Sequence, residues 1–333
     1  MHNHTAHKTH KRVVAIWGIA AVGAALLLFT GCAGKVAGAS ETVPHTEIPA
    51  LVEVQLPLQT PAPLRAQETL PPAALPTTPE PDVPTDFSIA FPDYDTGTDA
   101  LHSFQSESVR IAVTKNSYNG ITYFTADIWI RDISSFQTAM ARDRYQGAAE
   151  DMRTMSKRNN AIIAISGDHY DAREKGIVIR NGLLYRDSKL RDVCVLYNDG
   201  VMETYAADSF DLDAALARGA YQAWSFGPRL LDGGLPMTEF DSNVFTENPR
   251  NAIGYYEPGH YCFVTVDGRQ PGYSDGMNLH DLSLLFYAMG CENAYNLDGG
   301  QSAMMAFAHE IVNRPYKGGR SSGDILFITD IMN

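Results

Sequence analysis

Apolar and polar residues alternate along Val109–Thr114 and again along Thr122–Ile130, the pattern of strands with one buried face. Ala161–Ile165 is a short, nearly continuous apolar run, which predicts a strand covered on both faces. Asn181-Gly182 stands between Gly176–Arg180 and Leu183–Arg186 and predicts a hairpin closed by a type I′ turn. A second hairpin is predicted where Asn198-Asp199-Gly200 separates Val193–Tyr197 from Val201–Tyr205. Further strands are read at Tyr261–Val266, Ala294–Leu297, Ala303–Phe307 and Ile325–Ile328. Helical spacing is rarer. Ala148, Met152 and Met155 share one face, Ala214–Ala217 follows a capping Asp211, and Leu279, Leu282, Leu285, Phe286 and Met289 lead to a C-terminal Gly290. Strands dominate and helices are interspersed. The expected fold is α+β, a mixed, largely antiparallel sheet with a few packed helices in a single catalytic domain over residues 105–333.

The chain before that domain has a different pattern. Residues 1–12 are polar, with four histidines and a few basic residues, and suit a floppy cytoplasmic head better than a metal site. Val13–Gly31 is uncharged and sits at the border between a signal-peptide core and a membrane span. Basic residues precede it, so the remainder is expected outside the cytoplasmic membrane. The stretch ends Leu28-Phe29-Thr30-Gly31-Cys32, which resembles a bacterial lipoprotein signal with Cys32 as the lipidated residue. Phe29 stands where such signals usually carry Leu, and an uncleaved single span is the alternative. Residues 1–32 are thus read as an anchor segment. Residues 33–104 are read as a disordered stalk, because twelve of the chain's 18 prolines lie between Pro44 and Pro92 and aromatics are absent before Phe87.

Charge narrows the partners. The formal net charge is -13, and residues 101–333 carry -8 of it with no basic run. A phosphate backbone needs clustered Lys and Arg, so nucleic acid is not an expected partner. Acidity also repels polyanionic substrates unless the pocket is locally positive. Cys194, Cys262 and Cys291 have no CxxC spacing and read as small buried hydrophobes, with one disulfide and one free thiol as the alternative. A monomer is the default.

Chemistry concentrates where strands end. Tyr295-Asn296-Leu297-Asp298-Gly299-Gly300-Gln301-Ser302 runs from an apolar strand into a carboxylate, two glycines and a hydroxyl. Gly299 and Gly300 can turn backbone N–H groups toward an anion. An ordinary Asx turn is the plainer reading. Ser166-Gly167-Asp168-His169-Tyr170 places Asp168 and His169 at another strand end, suited to acid–base work or simply a loop entry. Asn248-Pro249-Arg250 supplies a guanidinium that can clamp phosphate or carboxylate bidentately. Gly272-Tyr273-Ser274-Asp275-Gly276 and Gly318-Gly319-Arg320-Ser321-Ser322 are two further Gly-rich polar junctions. Five such junctions suggest one shared pocket.

The segments NPRNAIG, VDGRQPGYSDGM, MGCENAYN, NLDGGQS, FGPRLLDGG and the closing GGRSSGDILFI resemble the phosphodiester glycosidase domain family across residues 105–333. One departure is visible: the family commonly has an Asn-Gly-Gly-like turn where this chain has Ser166-Gly167-Asp168-His169-Tyr170. The resemblance implies hydrolysis of the bond between a sugar anomeric carbon and a phosphodiester oxygen, with no cofactor required. On that reading Asp298 is the nucleophile or general base, Asp168 its partner, and Arg250 and Arg320 bind phosphate. The Gly299-Gly300 turn and Ser302 face nearby oxygens, while His169, Asp275 and Asn296 orient groups or bind sugar hydroxyls. Two alternatives stay open: a non-catalytic glycan-binding or exopolysaccharide-assembly module, and a metal-dependent phosphoesterase using Asp168, Asp275 and Asp298.

Overall fold

A computed structural model of the chain describes residue 87 and residues 100–331. The expected anchor segment with Cys32 and nearly all of the expected stalk lie outside the described residues, which all fall within one compact unit, Pro72–Asn333.

Three sheets build the domain. The largest has eight strands in the order His102–Gln105, Val109–Tyr118, Ile121–Ile130, His260–Val266, Arg250–Glu257, Asn293–Leu297, Arg229–Asp232 and Leu235–Pro236. One five-stranded sheet runs Leu183–Ser188, Gly176–Arg180, Ala220–Trp224, Val193–Tyr197 and Met202–Tyr205. The other runs Glu310–Ile311, Met305–Phe307, Ile163–Ser166, Asp324–Ile328 and Phe136–Met140. The expected α+β, largely antiparallel architecture is what the chain forms, and every strand pairing among the described residues is antiparallel. The first strand, His102–Gln105, begins on the stalk side of the expected boundary and crosses it. Phe87 is buried still further upstream and donates its N–H to the Arg131 carbonyl at 2.9 Å.

Both predicted hairpins are present, and Asn181 and Gly182 both take the left-handed backbone that a type I′ turn needs. Three helices cover sheet faces. Helix α1 (Met152–Arg158) buries Met152 and Met155, and α2 (Leu212–Ala217) buries Ala215. Helix α3 (Leu279–Met289) is capped by Asn278 at its start and by left-handed Gly290 at its end. It lays Leu279, Leu282 and Phe286 on one face of the large sheet, against Cys262, Val264 and Ala294. The other face of that sheet meets both smaller sheets in the main core, where Phe136, Trp224 and Leu326 pack against Tyr261 and Phe263. Phe136 stands edge-on to Phe263 with ring centres 5.6 Å apart. Cys194, Cys262 and Cys291 are buried free thiols, as expected of small hydrophobes, with Cys262 and Cys291 Sγ atoms 3.7 Å apart.

Candidate active site

The ends of the three sheets meet at one point. Asn251 pairs with Leu297, so the first residue of one strand, Arg250, lies beside the residue that follows the other, Asp298. The Asp298 N–H donates to the Gly167 carbonyl at 3.0 Å, which ties the large sheet to the loop after Ile163–Ser166. Two glycines permit this closeness. A Cβ on Gly299 would sit 2.4 Å from the Pro249 carbonyl oxygen, and one on Gly167 would sit 2.0 Å from Asp324 Oδ1.

A cavity of about 520 Å³ opens over this junction. Its wall carries five arginines, Arg173, Arg191, Arg250, Arg269 and Arg320, against the single carboxylate of Asp298. Of the five only Arg320 is ion-paired: its Nη2 lies 2.9 Å from Asp298 Oδ2. Arg173, Arg191, Arg250 and Arg269 make no ion pair among the described residues. Arg250 is buried and commits Nε and Nη2 to the carbonyls of Met277 and Thr246 at 3.0 and 2.6 Å, leaving Nη1 to the cavity. Burial, reinforced by the nearby Arg269, pushes the Arg250 guanidinium down to about 10. Burial and then the neighbouring Arg191 likewise lower Arg173. Arg269 is fixed by Asn248 Oδ1, which accepts from Nε at 3.1 Å and Nη2 at 2.7 Å. Four unpaired, mutually repelling guanidiniums make a site that an anion stabilises.

The expected site residues divide into those that reach the cavity and those that hold others. Asp298, Arg250, Arg320, Asn296, Gly299 and Gly300 line it, as the strand-end pattern predicted. Asn296 is 2% exposed, donates from Nδ2 to the Gly227 carbonyl at 2.9 Å, and leaves Oδ1 without a partner. The Gly300 N–H is not free for an anion, because the Pro249 carbonyl accepts it at 2.9 Å. Ser302 does not line the cavity; it is buried, and its Oγ accepts from Arg320 Nε at 2.5 Å. Asp275 is exposed on its loop and contributes only a backbone carbonyl, which accepts the Arg269 N–H at 3.0 Å. His169 has left-handed backbone, and its Nδ1 stands 3.7 Å from both Asp298 Oδ2 and Asp171 Oδ1. Asp171 is therefore the second carboxylate near Asp298, no farther off than twice that distance.

Asp168, expected as the partner of Asp298, is instead turned away from the cavity into a buried charge cluster. Its Oδ1 accepts from Arg180 Nη2 at 2.7 Å and its Oδ2 accepts the Ser225 N–H at 3.2 Å. Arg180 Nη2 also lies 3.0 Å from Asp324 Oδ2. All three side chains are at most 2% exposed. Three aspartates converging on a cation, as the phosphoesterase alternative needs, are not present: Asp168 faces Arg180 and Asp275 faces solvent.

Two carboxylates share one arginine in that cluster, and burial pushes Asp324 up to about 7, with Arg180 opposing the shift and Asp168 adding to it. The folded carboxyl keeps a proton that the unfolded chain releases near 3.8, so this contribution to stability is complete below that value and is lost as pH rises to about 7. Urea midpoints measured at intervals from about pH 4 to 8 should therefore fall more steeply for the native chain than for Asp324→Asn. Equal slopes would show that Asp324 is charged throughout.

An α+β domain whose sheet ends enclose an arginine-walled cavity around one carboxylate is built to receive an anion. Residues 159–329 match the phosphodiester glycosidase family, and the chain belongs to that family. It is 34% identical over 176 residues to the SPbeta prophage-derived uncharacterized protein YomE of Bacillus subtilis (strain 168), covering 49% of this chain but only 27% of that protein. Among solved structures it resembles the catalytic domain of zebrafish N-acetylglucosamine-1-phosphodiester alpha-N-acetylglucosaminidase, auto-inhibited by its pro-peptide. That likeness has a TM-score of 0.53 at 18% identity over 70% of this chain and 86% of the other. A hypothetical protein from Synechocystis matches with a TM-score of 0.52 at 14% identity over 67% and 62% of the two chains. These likenesses are of fold.

Proposed function

We propose that this chain is an extracytoplasmic hydrolase that cleaves a sugar-1-phosphodiester at the bond between the anomeric carbon and the phosphodiester oxygen. The observation that carries this reading is the cavity itself. In a chain of net charge -13, four arginines without ion-pair partners among the described residues surround one carboxylate. The diester anion is held by Arg173, Arg191, Arg269 and the free Nη1 of Arg250. Asn296 Oδ1 accepts from a sugar hydroxyl, which satisfies a buried acceptor that otherwise has none.

The leaving group is a phosphate monoester, so the guanidiniums that bind the ground state also stabilise the charge that gathers as the C–O bond breaks. Asp298 supports the positive charge developing at the anomeric carbon, either as nucleophile or by taking the proton of the attacking water. In both routes a water oxygen ends on the sugar, the broken bond's electron pair leaves with the phosphate, and one proton passes to solvent. Arg320, held by Ser302, and His169 position the Asp298 carboxylate. The anchor over residues 1–32, with Cys32 lipidated, and the expected stalk from residue 33 up to the first strand at His102 would hold the domain away from a bacterial membrane. Support for that placement lies in the sequence pattern.

Turnover of a GlcNAc-1-phosphodiester in water enriched in heavy oxygen tests the reaction. Mass spectrometry should find the label on the free sugar and none on the phosphate monoester. Label on the phosphate would make the protein a phosphoesterase. Tight binding without turnover of this or other sugar-1-phosphodiesters would make it a glycan-binding module.

A further inference from the structure

A second groove, of about 540 Å³, lies beside the cavity and is lined in part by Arg153, Gln270, Asn313, Arg314 and Lys317. The two adjoin at Tyr316. The Arg269 guanidinium carbon, on the cavity wall, is 5.6 Å from the Tyr316 ring centre, and Lys317 Nζ, in the groove, is 5.3 Å from it. The two charges are therefore no farther apart than those legs laid end to end, an upper limit within which neighbouring phosphates of a sugar-phosphate chain fall. Arg269 and Lys317 both hold left-handed backbone, which L residues other than glycine seldom adopt. Gln270 links the rims by donating from Nε2 to the Arg314 carbonyl at 2.8 Å. The Arg314 guanidinium lies 4.8 Å over the Tyr273 ring.

Charge in this groove is unbalanced in the same way as in the cavity. Arg314 and Lys317 make no ion pair among the described residues, whereas Arg153 is paired with Asp151 and Glu310 at 3.8 and 3.6 Å. Of the two carboxylates on this loop, Asp275 is exposed, while Asp267 is 1% exposed and turned inward, accepting from Asn313 Nδ2, the Arg314 N–H and the Tyr273 hydroxyl at 2.8, 3.0 and 2.8 Å. A neutral glycan would be met by donors and acceptors together. Arg314 and Lys317 continue, from the cavity into the groove, the run of cations without ion-pair partners among the described residues, an arrangement that matches repeated negative charge.

We propose that the groove of Arg314 and Lys317 is a second phosphate subsite, so that the substrate is a poly(sugar phosphate) chain with one phosphate in the cavity and the next in the groove. This rests on the glycosidase reading of the cavity. The test compares a synthetic methyl sugar-1-phosphodiester with its homologue of two sugar-phosphate repeats, by titration calorimetry on the full-length chain and on Arg314→Gln/Lys317→Gln. The native chain binds the two-phosphate ligand about tenfold more tightly at low salt, and the double variant loses that advantage while its affinity for the one-phosphate ligand is unchanged. Equal affinities in the native chain, or an advantage that survives the double variant, overturn the subsite. Turnover of the same ligands is followed in parallel: preference without cleavage of either overturns the glycosidase reading and leaves the subsite standing.

Discussion

Asp298→Asn should leave the protein folded and lower turnover of a sugar-1-phosphodiester by on the order of 10³-fold, the scale of losing a positioned acid–base or nucleophilic carboxylate. Asparagine is nearly the same shape. Its carbonyl oxygen can still accept from Arg320 Nη2, which lies 2.9 Å from Asp298 Oδ2. The backbone N–H still reaches the Gly167 carbonyl. What is lost is the only carboxylate on the cavity wall. The diester is held by the arginines, so the loss should appear in kcat with KM little changed. Thermal unfolding of the variant within a few degrees of the native chain would confirm an intact fold. Activity within tenfold of native would show that Asp298 merely holds Arg320, and the reactive group would have to be sought at Asp171. The anomeric configuration of the sugar first released by the native chain separates the two routes: retention marks a nucleophile, and inversion marks a base.

Local pattern carried the hairpins, the helices and most of the cavity's carboxylate side. Asn181-Gly182 specified its turn because few residue pairs accept two left-handed positions, and α3 was legible from its apolar spacing and its glycine cap. Phe136–Met140, Ala220–Trp224 and Arg229–Asp232 went unread, because each is a short strand; the first two pair only with strands that are not their chain neighbours, and the third, though it turns back onto Leu235–Pro236, is tied into its sheet by the distant Asn293–Leu297. Asp298 and Arg250 stood out because each sits at a strand end beside glycine or proline, and Asn296 because it is a polar residue in the apolar strand that leads to Asp298. Arg173, Arg191 and Arg269 were missed because an arginine in a loop has no local mark. Its lack of a carboxylate partner is settled only when the sheets assemble. The signal for Arg269 was present, since Asp267-Gly268-Arg269 closes a strand within a segment that carries the family resemblance.

Asp168 was misread for the converse reason, since its partner Arg180 ends a strand of a different sheet, and only assembly brings the two together. An arginine closing the apolar run Gly176–Arg180 was itself a hint, because a guanidinium buried in a sheet requires carboxylates. Arg180→Leu should accordingly be strongly destabilising. Arg180 is 2% exposed, and burial, which would lower its affinity for a proton, is overcome by Asp168 and Asp324. Removing it leaves two buried carboxylates facing one another. Breaking such a cluster from one side costs about 3–5 kcal/mol, which lowers Tm by on the order of 10 °C for a domain of this size. The loss should shrink as pH falls through about 7 and Asp324 takes up its proton, so the gap in urea midpoint between Arg180→Leu and the native chain should be smaller at about pH 5 than at about pH 9. Replacing all three members together, as Arg180→Leu/Asp168→Leu/Asp324→Leu, should recover part of the stability, because no buried charge is then left unpaired. Turnover should not recover with it. Asp168 accepts the Ser225 N–H and holds the loop whose Gly167 carbonyl fixes Asp298, so the triple variant separates folding from positioning. A triple variant that regained both would reduce the cluster to a packing element, and a single variant as stable as the native chain would refute the buried ion cluster outright.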